Sequence, residues 1–449
     1  MQERNTIREY LDSVTAQIRW KRARPLVRQE LAHHLEDQRA AFAAEGCENA
    51  EELAVKEMGD PVSVGAELDR IHRPKPQRGM LAITILLALA GAVLRVMLTA
   101  DWARYDMSVD PLRTALAFVL GCGALLTGYF LDVSRLSRWG RVIYAGALAA
   151  GVLALLFSPK VNGIPYYTKY VILCCPVVYA FWLYTCHGRG WAGLILTLSG
   201  EIPLVLICLL TPYAFGLVVL LLTGFALTVA AAWGDWFGLG RRKSLCFTAL
   251  CTAALSLSAL FLVMSSESSL QRLEIVFRPD LSPRGAGYLA VTIREALGAS
   301  RWLGTGTEFS PLPFELTVPG WEGDSFLSTI IYDLGWLPFL ALILTFAALI
   351  AWMLRRCLRQ KNQLGKSVTL AAAMTLLLQA LFSAAWNLGF TLFCPPFPLM
   401  VGNVNTVLNM GLIGLALSMF RNEQIFRDPA WNRPLPLPRY RIRIVVQKC

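Results

Sequence analysis

Four ionisable side chains in largely apolar surroundings carry most of the chemical potential of this sequence: Lys169, Glu201, Asp324 and Asp333. Asp324 stands where a long polar stretch meets an apolar run that begins at Ser325. A carboxylate at such a junction is reachable from water and from the membrane surface, and it could take a proton from a hydroxyl. The same position suits a helix cap, since Asp at a helix start satisfies exposed N–H groups and complements the dipole. Lys169 lies at the edge of another apolar run. It could neutralise a phosphate, or simply extend its ammonium to lipid head groups. Glu201 and Asp333 fall inside apolar runs, where an ionisable group usually faces a cavity or a partner. Arg272, Arg278, Arg284 and Arg294 add positive charge to the polar stretch before Asp324. Anionic lipid alone accounts for such charge, and none of the four is assigned a role.

The elements that must position these residues are membrane helices. Of the 449 residues, 55% are hydrophobic and 16% charged, which is more apolar surface than a water-soluble core requires, so the excess must face lipid. A bilayer crossing takes about 20 helical residues. Runs of that kind lie at 79–98, 112–132, 141–158, 168–186, 192–210, 213–233, 244–264, 325–353, 367–388 and 397–420. Only Thr211-Pro212 separates the fifth from the sixth, and proline favours a break there; ten spans are preferred, nine being the alternative. The expected fold is all-α: a small soluble helical bundle and linker over 1–78, a membrane domain over 79–420 with a long loop at 265–324, and a tail over 421–449.

Lys and Arg in short loops set orientation. With the N-terminus in the cytoplasm, the inside loops hold Arg135, Arg138, Arg141, Arg189, Arg241, Arg242, Lys243, Arg355, Arg356, Arg359, Lys361 and Lys366. The outside loops and their edges hold Arg104, Arg113, Lys160 and Lys169. Both termini are therefore expected in the cytoplasm and the long loop outside, where an excess over what two helices need for a connection marks a functional segment. The net charge of +11 is explained by these loops, and nucleic acid is not expected as a partner. The 11 cysteines form no CxxC pair and no metal spacing, and those inside apolar runs read as small hydrophobes. The first 78 residues contain no apolar core segment of a signal peptide, so the first span is expected to direct insertion.

In the N-terminal part, Ile7, Tyr10, Leu11, Val14 and Ile18 share one helical face, and Val27, Leu31, Leu35 and Phe42 share another. Asn49 with Glu52 predicts a capping box, and Asp60-Pro61 a further helix start. His33 and His34 are adjacent and so point to different helix faces, which favours a solvated surface over a metal site. The run Gln29 to Leu35 with Met58-Gly59-Asp60-Pro61 resembles the permease-prefix domain of some bacterial membrane proteins, which implies regulation or docking.

The long loop carries an ordered set of features: Arg272, Phe277, Pro279, Gly287-Tyr288, Ala296, Gly298, Leu303-Gly304-Thr305-Gly306, Leu312-Pro313 and Asp324-Ser325-Phe326, followed by Asp333-Leu334-Gly335. Together with Lys169 and with Pro396-Phe397-Pro398-Leu399 before the last span, this order resembles the SEDS family (shape, elongation, division and sporulation; RodA, FtsW and SpoVE are members) over roughly 80–421. The resemblance implies a peptidoglycan glycosyltransferase that polymerises lipid II on the outer face of the bacterial cytoplasmic membrane, beside a class B penicillin-binding transpeptidase. In that reaction a sugar hydroxyl of one lipid-linked disaccharide attacks the anomeric carbon of another and expels undecaprenyl pyrophosphate. It calls for a base, which the resemblance places at Asp324, and for cationic groups such as Lys169, or a divalent cation, at the leaving group. Asp333 falls where the family has an acidic residue, and Glu201 has no assured counterpart. Two sites depart from the family: Val401-Gly402-Asn403-Val404 and Thr211-Pro212-Tyr213 stand where it has Ser-Tyr-Gly-Gly and Gln-Pro-Asp. These departures suit a non-catalytic scaffold or regulator of cell-wall synthesis. A lipid flippase or transporter is the third reading, suggested by Glu201 with Pro203.

Overall fold

The computed structural model describes residues 6–100, 109–161, 163–211, 213–265, 267–360, 362–400 and 403–423. Arg104, Pro212, Lys361, Val401-Gly402 and the tail from 424 onward lie outside the described residues.

Four helices open the chain: α1 (Ile7–Gln17), α2 (Arg24–Ala44), α3 (Ala50–Met58) and α4 (Pro61–His72). They close around a core of Val14, Ile18, Leu35 and their neighbours, the residues that share the predicted faces. Asp60 caps α4 through Ser63 N at 2.8 Å as expected. The predicted box at Asn49 does not form, because no side chain caps α3. A box is found instead at the start of α1, where Thr6 and Glu9 bond each other's main chain.

Ten helices among the described residues are long and apolar enough to cross a membrane, and the chain is a multi-pass membrane protein. They are α5 (Arg78–Thr99), α6 (Pro111–Phe130), α8 (Gly140–Phe157) after the short α7 (Val133–Ser137), and α9 (Thr168–Thr185) after a two-residue hairpin, β1 (Lys160–Val161) with β2 (Ile164–Pro165). The fifth crossing is broken into α10 (Gly190–Ser199) and α11 (Glu201–Leu210), followed by α12 (Ala214–Trp233) and α13 (Arg241–Met264). The long loop folds as α14 (Glu267–Phe277), α15 (Tyr288–Ala299) and α16 (Phe314–Thr317). The chain then runs through α17 (Phe326–Asp333), α18 (Trp336–Arg359), α19 (Gln363–Asn387) and α20 (Val404–Arg421). Ten crossings place the N-terminal helices and the end of α20 on one face, the prefix face, and residues 265–324 on the other, the loop face.

Between lipid-facing helices there is no hydrophobic gain from association, so close backbone approach and buried polar pairs hold the bundle. Both devices are present. On α6 and α20, a Cβ at Gly128 would lie 2.9 Å from Gly411 O, and one at Gly414 would overlap Leu125 O. Gln379 of α19 and Asn409 of α20 exchange two hydrogen bonds, at 3.0 and 3.1 Å, with both side chains fully buried.

The eighth span starts later than its composition suggests. Gly335 adopts φ +103°, and a Cβ there would sit 2.6 Å from Trp302 O. The main chain of the loop docks here, with Gly304 N donating to Leu334 O (2.9 Å) and Leu337 N to Trp302 O (3.1 Å). The apolar run from 325 is therefore a short helix, a glycine break, and only then the crossing helix α18. The Gly-rich turn at 303–306 makes this docking possible.

Candidate functional site

The loop-face end of the membrane domain gathers charged, phenolic, amide and thiol side chains from six parts of the chain. Ser325 is the N-cap residue of α17 and no side chain caps that helix, so the capping role considered for Asp324 is not taken up. The Asp324 side chain is exposed and accepts a hydrogen bond from the Cys394 thiol. Burial pushes that thiol's pKa up, the Asp324 carboxylate raises it further, and Lys169 opposes the shift. Asp324 and Lys169 thus act on one sulfur, which brings together the two residues that the sequence singled out first.

Three further groups stand within electrostatic reach of Asp324: Arg95 on α5, Tyr170 on α9 and Tyr213 before α12. Arg95 Nε donates to Glu322 O at 2.8 Å, fixing the main chain two residues before Asp324. Lys169 lies over the rings of Tyr166 (4.3 Å) and Tyr170 (5.1 Å), and Tyr170 donates to Tyr166 Oη at 3.1 Å. This aromatic bracket holds the ammonium at the head of α9, where free snorkelling would leave it unrestrained. From α19, Asn387 binds Asp324 O at 3.0 Å, and Thr329 Oγ1 donates to Trp321 O at 2.7 Å. The loop end is therefore anchored through its backbone, and the carboxylate is left open to solvent.

Asp333 and Glu201 are not part of this cluster. Asp333 ends α17, at the opposite end from Asp324, and its pKa is pushed up to about 7 by burial and then by Glu315. Glu201 sits in the break of the fifth span, 1% exposed, against the bare backbone of Gly224. The carbonyls around that break are satisfied by side chains: Tyr144 Oη donates to Gly200 O (2.7 Å) and Trp182 Nε1 to Leu196 O (3.0 Å). Broken helices in lipid need such substitutes. Of the loop arginines, Arg294 is engaged structurally, donating to Val276 O (3.3 Å) and Gly389 O (3.1 Å), while Arg272, Arg278 and Arg284 are exposed.

Sequence reasoning meets Tyr213 only as part of a departure from the family pattern, and it passes over Arg95, Tyr170, Asn387 and Cys394. Arg95 did leave a signal, since it is an ionisable residue inside the first apolar run. The others left none, because tyrosine, asparagine and cysteine at span ends are common. As for a metal, no three His, Cys, Asp or Glu side chains come together among the described residues.

Comparison with solved structures bears on the fold. The chain aligns with a chain from a structure on the coordination of polymerization and crosslinking by a peptidoglycan synthase complex, with a TM-score of 0.58 at 18% identity over 79% of this chain and 99% of that one. The two share one fold. The rod shape determining protein RodA of Thermus thermophilus aligns with a TM-score of 0.48 at 16% identity, over 78% of this chain and 97% of that one. A variant of the same protein gives 0.46 at 16% identity, over 77% and 98%. No family model and no curated protein matches the sequence.

Proposed function

We propose that the chain is a SEDS-type peptidoglycan glycosyltransferase that polymerises lipid II. One observation carries the reading: an exposed carboxylate, Asp324, stands with Lys169 and Arg95 at the loop-face end of a membrane domain whose fold is shared with a chain of a peptidoglycan synthase complex. Asp324 takes the proton of the attacking sugar hydroxyl. The hydroxyl oxygen bonds the anomeric carbon of the second lipid-linked disaccharide, and the bond to undecaprenyl pyrophosphate breaks, its electron pair leaving with the pyrophosphate. Lys169 and Arg95 lie where cationic groups would stabilise that charge. No step is assigned to a metal ion. Asp333 and Glu201 stay outside the chemistry.

The reading places the protein in a bacterial cytoplasmic membrane, with the loop face outside and both termini in the cytoplasm. The loop cations counted on the prefix side support this orientation. It also gives the protein a class B penicillin-binding transpeptidase as partner, since the structural neighbour belongs to a complex that couples polymerization to crosslinking. The N-terminal helices then serve docking or regulation.

The test is polymerisation of purified lipid II by the detergent-solubilised full chain, with and without a divalent cation and candidate transpeptidases, beside Asp324→Ala. Glycan chains from the native protein, reduced about 100-fold or more in the variant, are expected for a lost base. No product from folded protein under every condition would replace this reading with the non-catalytic scaffold, which the altered residues at 211–213 and 401–404 favour.

A further inference from the structure

On the prefix face, far from Asp324, a cavity of about 720 Å³ lies in the seam between the N-terminal helices and the membrane domain. Trp20, Lys21 and Arg22, from the turn between α1 and α2, form one wall. Asp132, Arg138 and Trp139, from the connection between α6 and α8, form the facing one, and the ends of α19 and α20 close the floor. Nothing in the polymerisation reading uses this space.

The charge of the seam is unbalanced. Three cations line it, against the carboxylates of Asp132 and Glu423. Arg22 is spent on Asp132, its Nη1 3.7 Å from the carboxylate. Lys21 and Arg138 are exposed, and among the described residues neither has an ion-pair partner. Beside Arg138, Trp139 is the N-cap residue of α8 and no side chain caps that helix, so its first N–H groups add to the positive potential. Trp139 is 62% exposed and Val142, one turn further along α8, 59% exposed. An indole at that depth marks the membrane–water interface. The volume is ample for a polar head group.

We propose that this seam binds a phosphate-bearing ligand, namely the head group of an anionic phospholipid from the surrounding leaflet, held by Lys21 and Arg138. Lys21 belongs to the N-terminal helices and Arg138 to the membrane domain. A bound phosphate would therefore bridge the two parts, and the lipid composition of the membrane would set how firmly the N-terminal helices are seated.

The experiment measures the unfolding temperature of the full chain in a neutral detergent, titrated with short-chain phosphatidylglycerol, short-chain phosphatidylcholine or inorganic phosphate. Phosphatidylglycerol is expected to raise it saturably by several degrees, while phosphatidylcholine does not. The Lys21→Gln/Arg138→Gln double variant loses the shift, and Lys21→Arg/Arg138→Lys, which keeps both charges, retains it. Arg242→Gln, a basic residue elsewhere on the same face, also retains it, which separates a site from general surface charge. An undiminished shift in the neutral double variant, or equal shifts from both lipids, overturns the site. A full shift from inorganic phosphate alone overturns the lipid assignment in favour of a soluble phosphate compound. If the neutral double variant does not fold, loss of the shift in the charge-keeping variant overturns the proposal, because it would show that charge is not what the ligand reads.

Discussion

The Asn387 carboxamide spans the gap between α19 and the start of α17: its Nδ2 donates to Asp324 O at 3.0 Å, while its Oδ1 accepts from Ser328 N at 2.8 Å. Asn387 is fully buried, so these bonds have no competition from water. They fix the main chain of Asp324 against α19 and leave its carboxylate to solvent and the Cys394 thiol, the arrangement that the proposed base needs. Asn387→Ala is expected to cost about 1–3 kcal/mol of stability, the usual penalty when a buried donor is left unpaired. Polymerisation should fall further than the loss of folded protein explains. Unfolding in detergent and initial polymerisation rates, both normalised to folded protein, check this.

Arg95 should act on the leaving group as a cation whose orientation is fixed by its own hydrogen bond. Its Nε holds Glu322 O at 2.8 Å, and a lysine cannot reproduce that planar geometry. Arg95→Met is expected to lower the polymerisation rate by about 10-fold or more, on the scale of losing an oriented electrostatic group. Arg95→Lys should recover substrate affinity better than rate. A kcat and KM comparison separates the two, and equal activity in all three proteins would remove Arg95 from the site.

Asp333 gives the fold a pH dependence of known sign. Its carboxyl is raised from 3.8 to about 7 in the folded state, by burial first and by Glu315 second. Between those values the folded protein keeps a proton that the unfolded chain has released. This contribution to stability is full below the lower value, is lost as pH rises through the window, and is flat above the upper one. Asp333→Asn should flatten the unfolding temperature across that window. A profile of unchanged slope would show that other groups dominate.

Gly128 and Gly414, in the α6–α20 seam, should tolerate no side chain. A Cβ at Gly414 would overlap Leu125 O, and one at Gly128 would sit 2.9 Å from both Gly411 O and Leu415 N. Gly414→Val is expected to destabilise by about 3 kcal/mol or more, since backbone atoms cannot move aside as a flexible core does. Gly123→Val, where nothing lies within 4 Å, serves as the control. Thermal unfolding of both in detergent gives the comparison.

The ten crossings were legible because a lipid-facing helix must be apolar over its whole length, and composition records this directly. The break at Gly335 was not. Leu334 and Trp336 continue the apolar run, and only the docking of Trp302 and Leu303 imposes the positive φ. Asp324 could be named from its place at a boundary, but its neighbours could not. Lys169, Arg95 and Cys394 come from distant parts of the chain, and their meeting depends on how α5, α9 and the segment after α19 pack. Asp333 and Glu201 were singled out by the rule that charge in lipid has a reason. Here the burial of each is local: one closes α17 beside Glu315, and the other fills a helix break opposite Gly224.

The pairing of α6 with α20 ties the second crossing to the last. During synthesis, α6 enters the bilayer long before its glycine-lined partner leaves the ribosome, and the intervening helices must be accommodated first. Until α20 arrives, Gly121 and Gly128 present a groove of bare backbone to lipid. A ribosome stalled late in the message would leave that groove open, a feature by which membrane quality control could tell an unfinished copy from a complete one.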